Sequence, residues 1–253
     1  MSSAWVQAAV AVALVVLMLA FQEGGFRLGQ RRRSTPKEHG QIGALQGAAI
    51  GLLGLLLGFA FSGSTSRFIE RQDIIIREAN AIGTAALRAD LLEPGHRAAF
   101  LSALRTYTND RVMLFNEARK DQSAAIIERL SAAQEEMWSA AVAGVRERPA
   151  VVMAVLPPVN EVIDLHSVRN AASFRHLPVP VMGLLIVCAA VAMGMIGYGC
   201  GLAGARQRAT SGTLAILIAA SLWTTIDLDH PKLGLIRING EPLMEVQRSL
   251  ARP

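Results

Sequence analysis

A chain of 253 residues in which 52% are hydrophobic and only 18% charged lies outside the usual composition of a water-soluble domain. The apolar excess is concentrated in four windows, whereas residues 64–176, between the second and third, have the composition of a soluble protein. The net charge of +5 comes without the basic stripe and interleaved aromatics of a nucleic-acid surface, so a lipid bilayer and not a nucleic acid is the expected partner.

The first window, residues 4–21, is uncharged and close to the minimum needed to cross a hydrocarbon core of about 30 Å. Its first basic residue, Arg27, follows the apolar run instead of preceding it, which favours a retained helix over a cleaved signal peptide. The second window, residues 42–62, carries Gly43, Gly47, Gly51, Gly54 and Gly58 on one helical face. A face without side chains lets another helix backbone approach closely, the alternative being that glycine is simply common in membrane helices. The third window, residues 179–205, repeats the pattern through Gly194, Gly197, Gly201 and Gly204 and is the expected packing partner of the second. Cys188 and Cys200 share this helix about 18 Å apart at a rise of about 1.5 Å per residue, too far to form a disulfide. The fourth window, residues 213–226, is short for a span and reaches the needed length only as 210–228, with Trp223 at the interface; a re-entrant segment is the alternative.

Charge gives these spans a direction. Arg27, Arg31, Arg32, Arg33 and Lys37 between windows one and two, and Arg206 and Arg208 between three and four, mark loops retained in the cytoplasm. An even number of crossings places both loops on the same side. The amino terminus, the insert and the tail then face outward, which in a double-membrane bacterium is the periplasm. The expected organisation is therefore all-α: residues 1–63 form two spans with a basic loop, 64–178 an extracytoplasmic helical bundle, 179–228 two further spans and 229–253 an external tail.

Within the insert, residues 122–145 place Ile127, Leu130, Ala133, Met137, Ala141 and Val145 at helical spacing, and residues 97–117 do likewise through Leu101, Leu104, Thr108, Val112 and Phe115. Pro94-Gly95, Pro149 and Pro157-Pro158 are expected to break the insert into about four helices. Nothing clearly stops the second membrane helix before residue 90, so it is expected to continue outward. Arg67, Arg71, Glu78, Ile82 and Ala85 share one face of that extension, and Asp73, Arg77, Asn80 and Thr84 a neighbouring one. These charges read either as a solvated face with intrahelical ion pairs or as a polar vestibule. Asp227, Asp229 and His230 follow the fourth window, and acidic groups at a low-dielectric boundary are favoured when paired, so Arg67 and Arg71 are their candidate partners. A metal site there lacks recognised ligand spacing, and none is expected.

The stretches GLLGLLLGFAFSGSTSRFIERQDIIIREANAIGTAALRADLL at 51–92 and DLDHPKLGLIRINGEPL at 227–243 resemble the two signatures of the bacterial bestrophin-like membrane family, a domain of unknown function. Arg67, Arg71, Glu78, Ala79, Asn80, Ile82, Gly83 and Arg88 match its order and spacing, as do Asp227, Asp229, Pro231 and Gly234. Tyr107 and Arg111 fit its intervening helix, and the resemblance covers nearly the whole chain. It implies a distant similarity to the bestrophin anion channels, hence a homo-oligomer handling inorganic anions. Two departures stand out: bestrophins are similar to channels whose inserted domain is cytoplasmic, and the second window has only Phe59 and Phe61 where they have an aromatic-rich neck. Arg67, Arg71, Glu78, Asn80, Asp227 and Asp229 are accordingly candidates for an ion path or a structural clasp. An enzyme is not expected: there is no phosphate-binding glycine loop, no zinc-binding histidine pair, no nucleophile elbow and no cofactor motif. The rival to a channel is a non-conducting sensor or scaffold whose external bundle binds a partner.

Overall fold

The computed structural model describes residues 3–32, 36–116, 120–231 and 234–252, and the described residues form eight α-helices and two short 3-10 turns. The helices are α1 (Ser3–Gln30), α2 (Pro36–Arg88), α3 (Pro94–Asn116), α4 (Lys120–Glu147), α5 (Val152–Ser173), α6 (Val179–Leu202), α7 (Arg208–Asp229) and α8 (Glu241–Leu250). Arg33 and the side chains of Lys37 and His39 lie outside the described residues. The chain divides into two units: Met1–Phe68 with His176–Arg237, and Ile69–Arg175 with Ile238–Pro253.

The first unit contains α1, residues 36–68 of α2, α6 and α7. In lipid every backbone amide must be satisfied within its own segment, which is why apolar runs of this length are helical. The fourth apolar segment reaches the length of a span as expected, with its polar ends joined to it: α7 is 22 residues long. Leu14 and Met18 of α1, Leu53 of α2, Leu185 and Met193 of α6 and Leu222 of α7 form a buried apolar core. The backbones of α1 and α6 approach each other closely. A Cβ at Gly25 would strike the Gly194 carbonyl, one at Gly197 the Gln22 carbonyl and one at Gly201 the Phe26 carbonyl. Close packing of the third window is thus realised against the first, which corrects the expected partner. Gly43, Gly47, Gly51, Gly54 and Gly58 of α2 face open space, and α2 meets α6 instead through Gln46, whose amide donates to the Met195 carbonyl at 2.5 Å. Gly204, with φ of +65°, ends α6, and the Ala205 amide returns to the Cys200 carbonyl as in a Schellman turn.

The second unit comprises residues 69–88 of α2 with α3, α4, α5 and α8. Ile82, Phe100, Tyr107, Leu130, Met137 and Val159 lie at its centre. On α4 the buried stripe begins at Ile126, while Ile127 is exposed, so the periodic face is shifted by one residue from its expected start. Pro157 and Pro158 do not break α5. They remove two helical amides, but Val155, Val159, Val162 and Leu165 are almost wholly buried, and that burial holds the segment helical. The continuation of α2 is present as expected: its 53 residues extend about 80 Å, far beyond a hydrocarbon core of about 30 Å. By length and composition α5 is a fifth helix able to cross a membrane, beside α1, α2, α6 and α7.

Candidate functional site

Position 78 follows Ile74, Ile75 and Arg71 on the buried face of α2, so the helical repeat carries a carboxylate into the core of the second unit. Glu78 is 0% exposed. Arg111 of α3 grips it in a bidentate pair, Nε donating to Oε1 at 2.6 Å and Nη2 to Oε2 at 2.9 Å. Tyr107, one turn earlier on α3, donates its hydroxyl to Oε1 at 2.9 Å, and Arg169 of α5 donates to Oε2 at 3.0 Å. Burial pushes the Tyr107 phenol well above its ordinary range and the Glu78 charge adds to that, so the phenol stays a neutral donor. One buried carboxylate is thus shared by two guanidinium groups, leaving a local excess of one positive charge. Arg169 also lies 5.6 Å from the Phe115 ring centroid, a cation-π contact. Arg71, buried in the same unit, donates to the carbonyls of Ala172, at 3.3 Å, and Arg175, at 2.5 Å. Asn80 is exposed, as are Asp73, Arg77 and Thr84.

In the first unit Arg67 donates through Nε to Asp229 Oδ1 at 2.9 Å and through Nη2 to the Ser64 hydroxyl at 3.0 Å. Asp229 also accepts the Leu177 amide at 2.9 Å, so its buried charge is met by a guanidinium and a backbone donor. Asp227 does different work. Its carboxylate accepts the amides of Leu235 and Ile236 at 2.8 to 3.0 Å, tying down the turn after α7, and a Cβ at Gly234 would collide with that carboxylate. Asp227 therefore organises backbone, while Asp229 takes the Arg67 pair that the sequence made available to either.

His176 and His230 stack with ring centroids 4.6 Å apart and planes within 7°, beside Asp229. The ligand atoms of these three residues fall within 4.8 Å of one another. The lone pair of an imidazole nitrogen lies in its ring plane, so two rings stacked this way cannot both aim at an ion about 2.0–2.1 Å from each. As they stand, His176 and His230 stack on each other, and His176 Nδ1 lies 3.0 Å from the Asp229 carbonyl. Arg169 and His176 had no signal in their own segments, because each joins its site from a position far away in sequence; Ser64 stands one helical turn before Arg67, a spacing that could have pointed to it.

The sequence matches the Bestrophin-like domain across residues 8–243. Three crystal structures of variants of a bacterial bestrophin homologue from Klebsiella pneumoniae share the fold. Two of them give TM-scores of 0.65 and 0.64 at 13% and 14% identity, covering 95% of this chain and 95% and 96% of theirs. No curated protein matches the sequence.

Proposed function

The chain belongs to the Bestrophin-like family, and from that premise we propose that it is a homo-oligomeric ion channel of the bacterial inner membrane, with inorganic anions as its permeant class and the insert facing the periplasm. The observation that carries this reading is the α2 face bearing Gly43, Gly47, Gly51, Gly54 and Gly58, exposed in the protomer and continuous along one helix. Such a face suits either a wall shared by several copies or close packing between them. The arginine pair on Glu78 in the second unit, at the extension of the same helix, supplies a positive field of the sign that concentrates anions.

Purified oligomer in a planar bilayer under a chloride gradient is expected to give currents whose reversal potential moves toward the anion equilibrium. Silence from a folded, assembled preparation would argue against conduction. One observation favours a non-conducting scaffold instead: Gln22 and Gln46 spend their side chains within the first unit, on Ser211 and on the Met195 carbonyl, where conduction requires polar groups along a path. In that case one partner would co-purify at fixed stoichiometry through the insert.

A further inference from the structure

A lateral groove of about 690 Å³ opens in the first unit between α1, α2 and α6, within the range of about 300–1,000 Å³ seen for ligand sites. Phe21, Leu28, Ile42, Leu45, Val191 and Met195 line it, and its wall is almost wholly apolar. The α1 contribution runs from Ala20 to Leu28, about 12 Å along the axis at about 1.5 Å per residue, against about 15 Å for one leaflet of a hydrocarbon core about 30 Å thick. Gly24 keeps the groove open. A Cβ there would meet nothing within 4 Å, whereas Gly25, its neighbour, is pressed against α6.

The end of this groove is charged. Arg27 and Arg31 lie three residues beyond Gly24 and Leu28, hence along the same flank of α1; both are exposed, and Arg27 donates through Nε to Glu23 Oε1 at 2.8 Å. Arg206 reaches the same end, its guanidinium 4.4 Å from the Phe26 ring centroid and 3.2 Å from Glu23. Arg32 follows, so among the described residues four arginines stand against the one carboxylate of Glu23. An apolar channel along a membrane helix, capped by excess positive charge, is complementary to one molecule class: a lipid with an acyl tail and an anionic headgroup.

We propose that this groove holds one acyl chain of an anionic phospholipid from the leaflet on the side of the basic loops, its phosphate paired with Arg27 and Arg31. The proposal rests on α1, α2 and α6 lying in the bilayer and not on conduction, so silent currents leave it standing.

Native mass spectrometry of the full-length protein, equilibrated with phosphatidylglycerol or phosphatidylcholine of identical chains, tests it. Wild-type protein is expected to retain about one phosphatidylglycerol per chain, at least tenfold more than phosphatidylcholine. Gly24→Leu fills the groove and is expected to lower that retention tenfold with the far-ultraviolet circular dichroism unchanged. Arg27→Gln with Arg31→Gln changes only exposed side chains and is expected to bring the two lipids to parity. Equal retention by wild type and Gly24→Leu would overturn the proposal, as would a headgroup preference that survives loss of both arginines. Should Gly24→Leu dissociate the assembly with bound lipid unaltered, the occupant is a second copy of the chain and the lipid reading fails. Should that variant not fold, the double arginine variant decides between the same two outcomes by itself.

Discussion

Glu78 brings one negative charge into a core where Tyr107, Arg111 and Arg169 all donate to it. Removing the charge alone leaves two guanidinium groups without their counterion in a region closed to water. Breaking a buried pair from one side typically costs about 3–5 kcal/mol, and Glu78→Gln is expected to fall in that range, seen as a marked drop in the thermal midpoint. A variant that melts with the wild type would show the network to be dispensable. Among the two arginines, loss of Arg111, whose side chain is 3% exposed, should be worse than loss of Arg169 at 18%. His166 sits edge-on to Tyr107, and its pKa is lowered by burial first and by the Arg111 charge second. The unfolded chain therefore takes up a proton near the usual 6.5 while the folded one resists it. That contribution is intact above this pH and is lost as pH falls below it. Between pH 7.5 and 5.5 the wild-type midpoint should drop further than that of His166→Gln; equal drops would clear His166 of the effect. Glu78 was legible from helical spacing and the family resemblance together, whereas Tyr107 and Arg111 were marked by the resemblance alone. Arg169, 91 residues from Glu78, was not, since an arginine near the end of an apolar helix reads as solvated until the fold brings it inward.

At the scale of elements, two glycine stripes that look alike in sequence meet different surroundings. Those at Gly197 and Gly201 let α6 lie against α1 backbone to backbone, and any side chain there must displace main chain. Gly54 faces open space within the protomer. Gly197→Leu is thus expected to cost at least the about 1–3 kcal/mol typical of overpacking and to reduce the yield of folded protein. Gly54→Ala should leave the folded protomer as stable or more so, by up to about 1 kcal/mol from helix propensity. If copies meet or ions pass along the α2 face, the same substitution shifts the oligomer profile or the conductance; a change in neither would remove that face from the functional account. Spacing identified both stripes but could not name their partners, because a small face is complementary to any backbone and the choice is made by the whole packing arrangement. The prolines of α5 teach the converse. Local propensity favoured a break at Pro157, and the burial of Val155, Val159, Val162 and Leu165 overrode it.

For the whole molecule the open variable is parity, and α5 decides it. Apolar windows, helix content and the family were readable because a bilayer demands long uncharged helices, whereas sidedness depends on how many of them cross. With α1, α2, α6 and α7 as the only spans, both basic loops share the cytoplasmic side, as the charge bias requires. If α5 crosses as well, three crossings separate those loops and Arg206 and Arg208 face outward, against the bias. Burial of the apolar stripe of α5 in the core of the second unit favours four spans. Single cysteines at Ser131 and Gln207, both exposed, distinguish the two arrangements once Cys188 and Cys200 are replaced by serine. A membrane-impermeant maleimide added to intact spheroplasts should label Ser131→Cys at once and Gln207→Cys only after lysis. Labelling of both from outside would make α5 a span, and labelling of Gln207→Cys alone would invert the protein and place the insert in the cytoplasm.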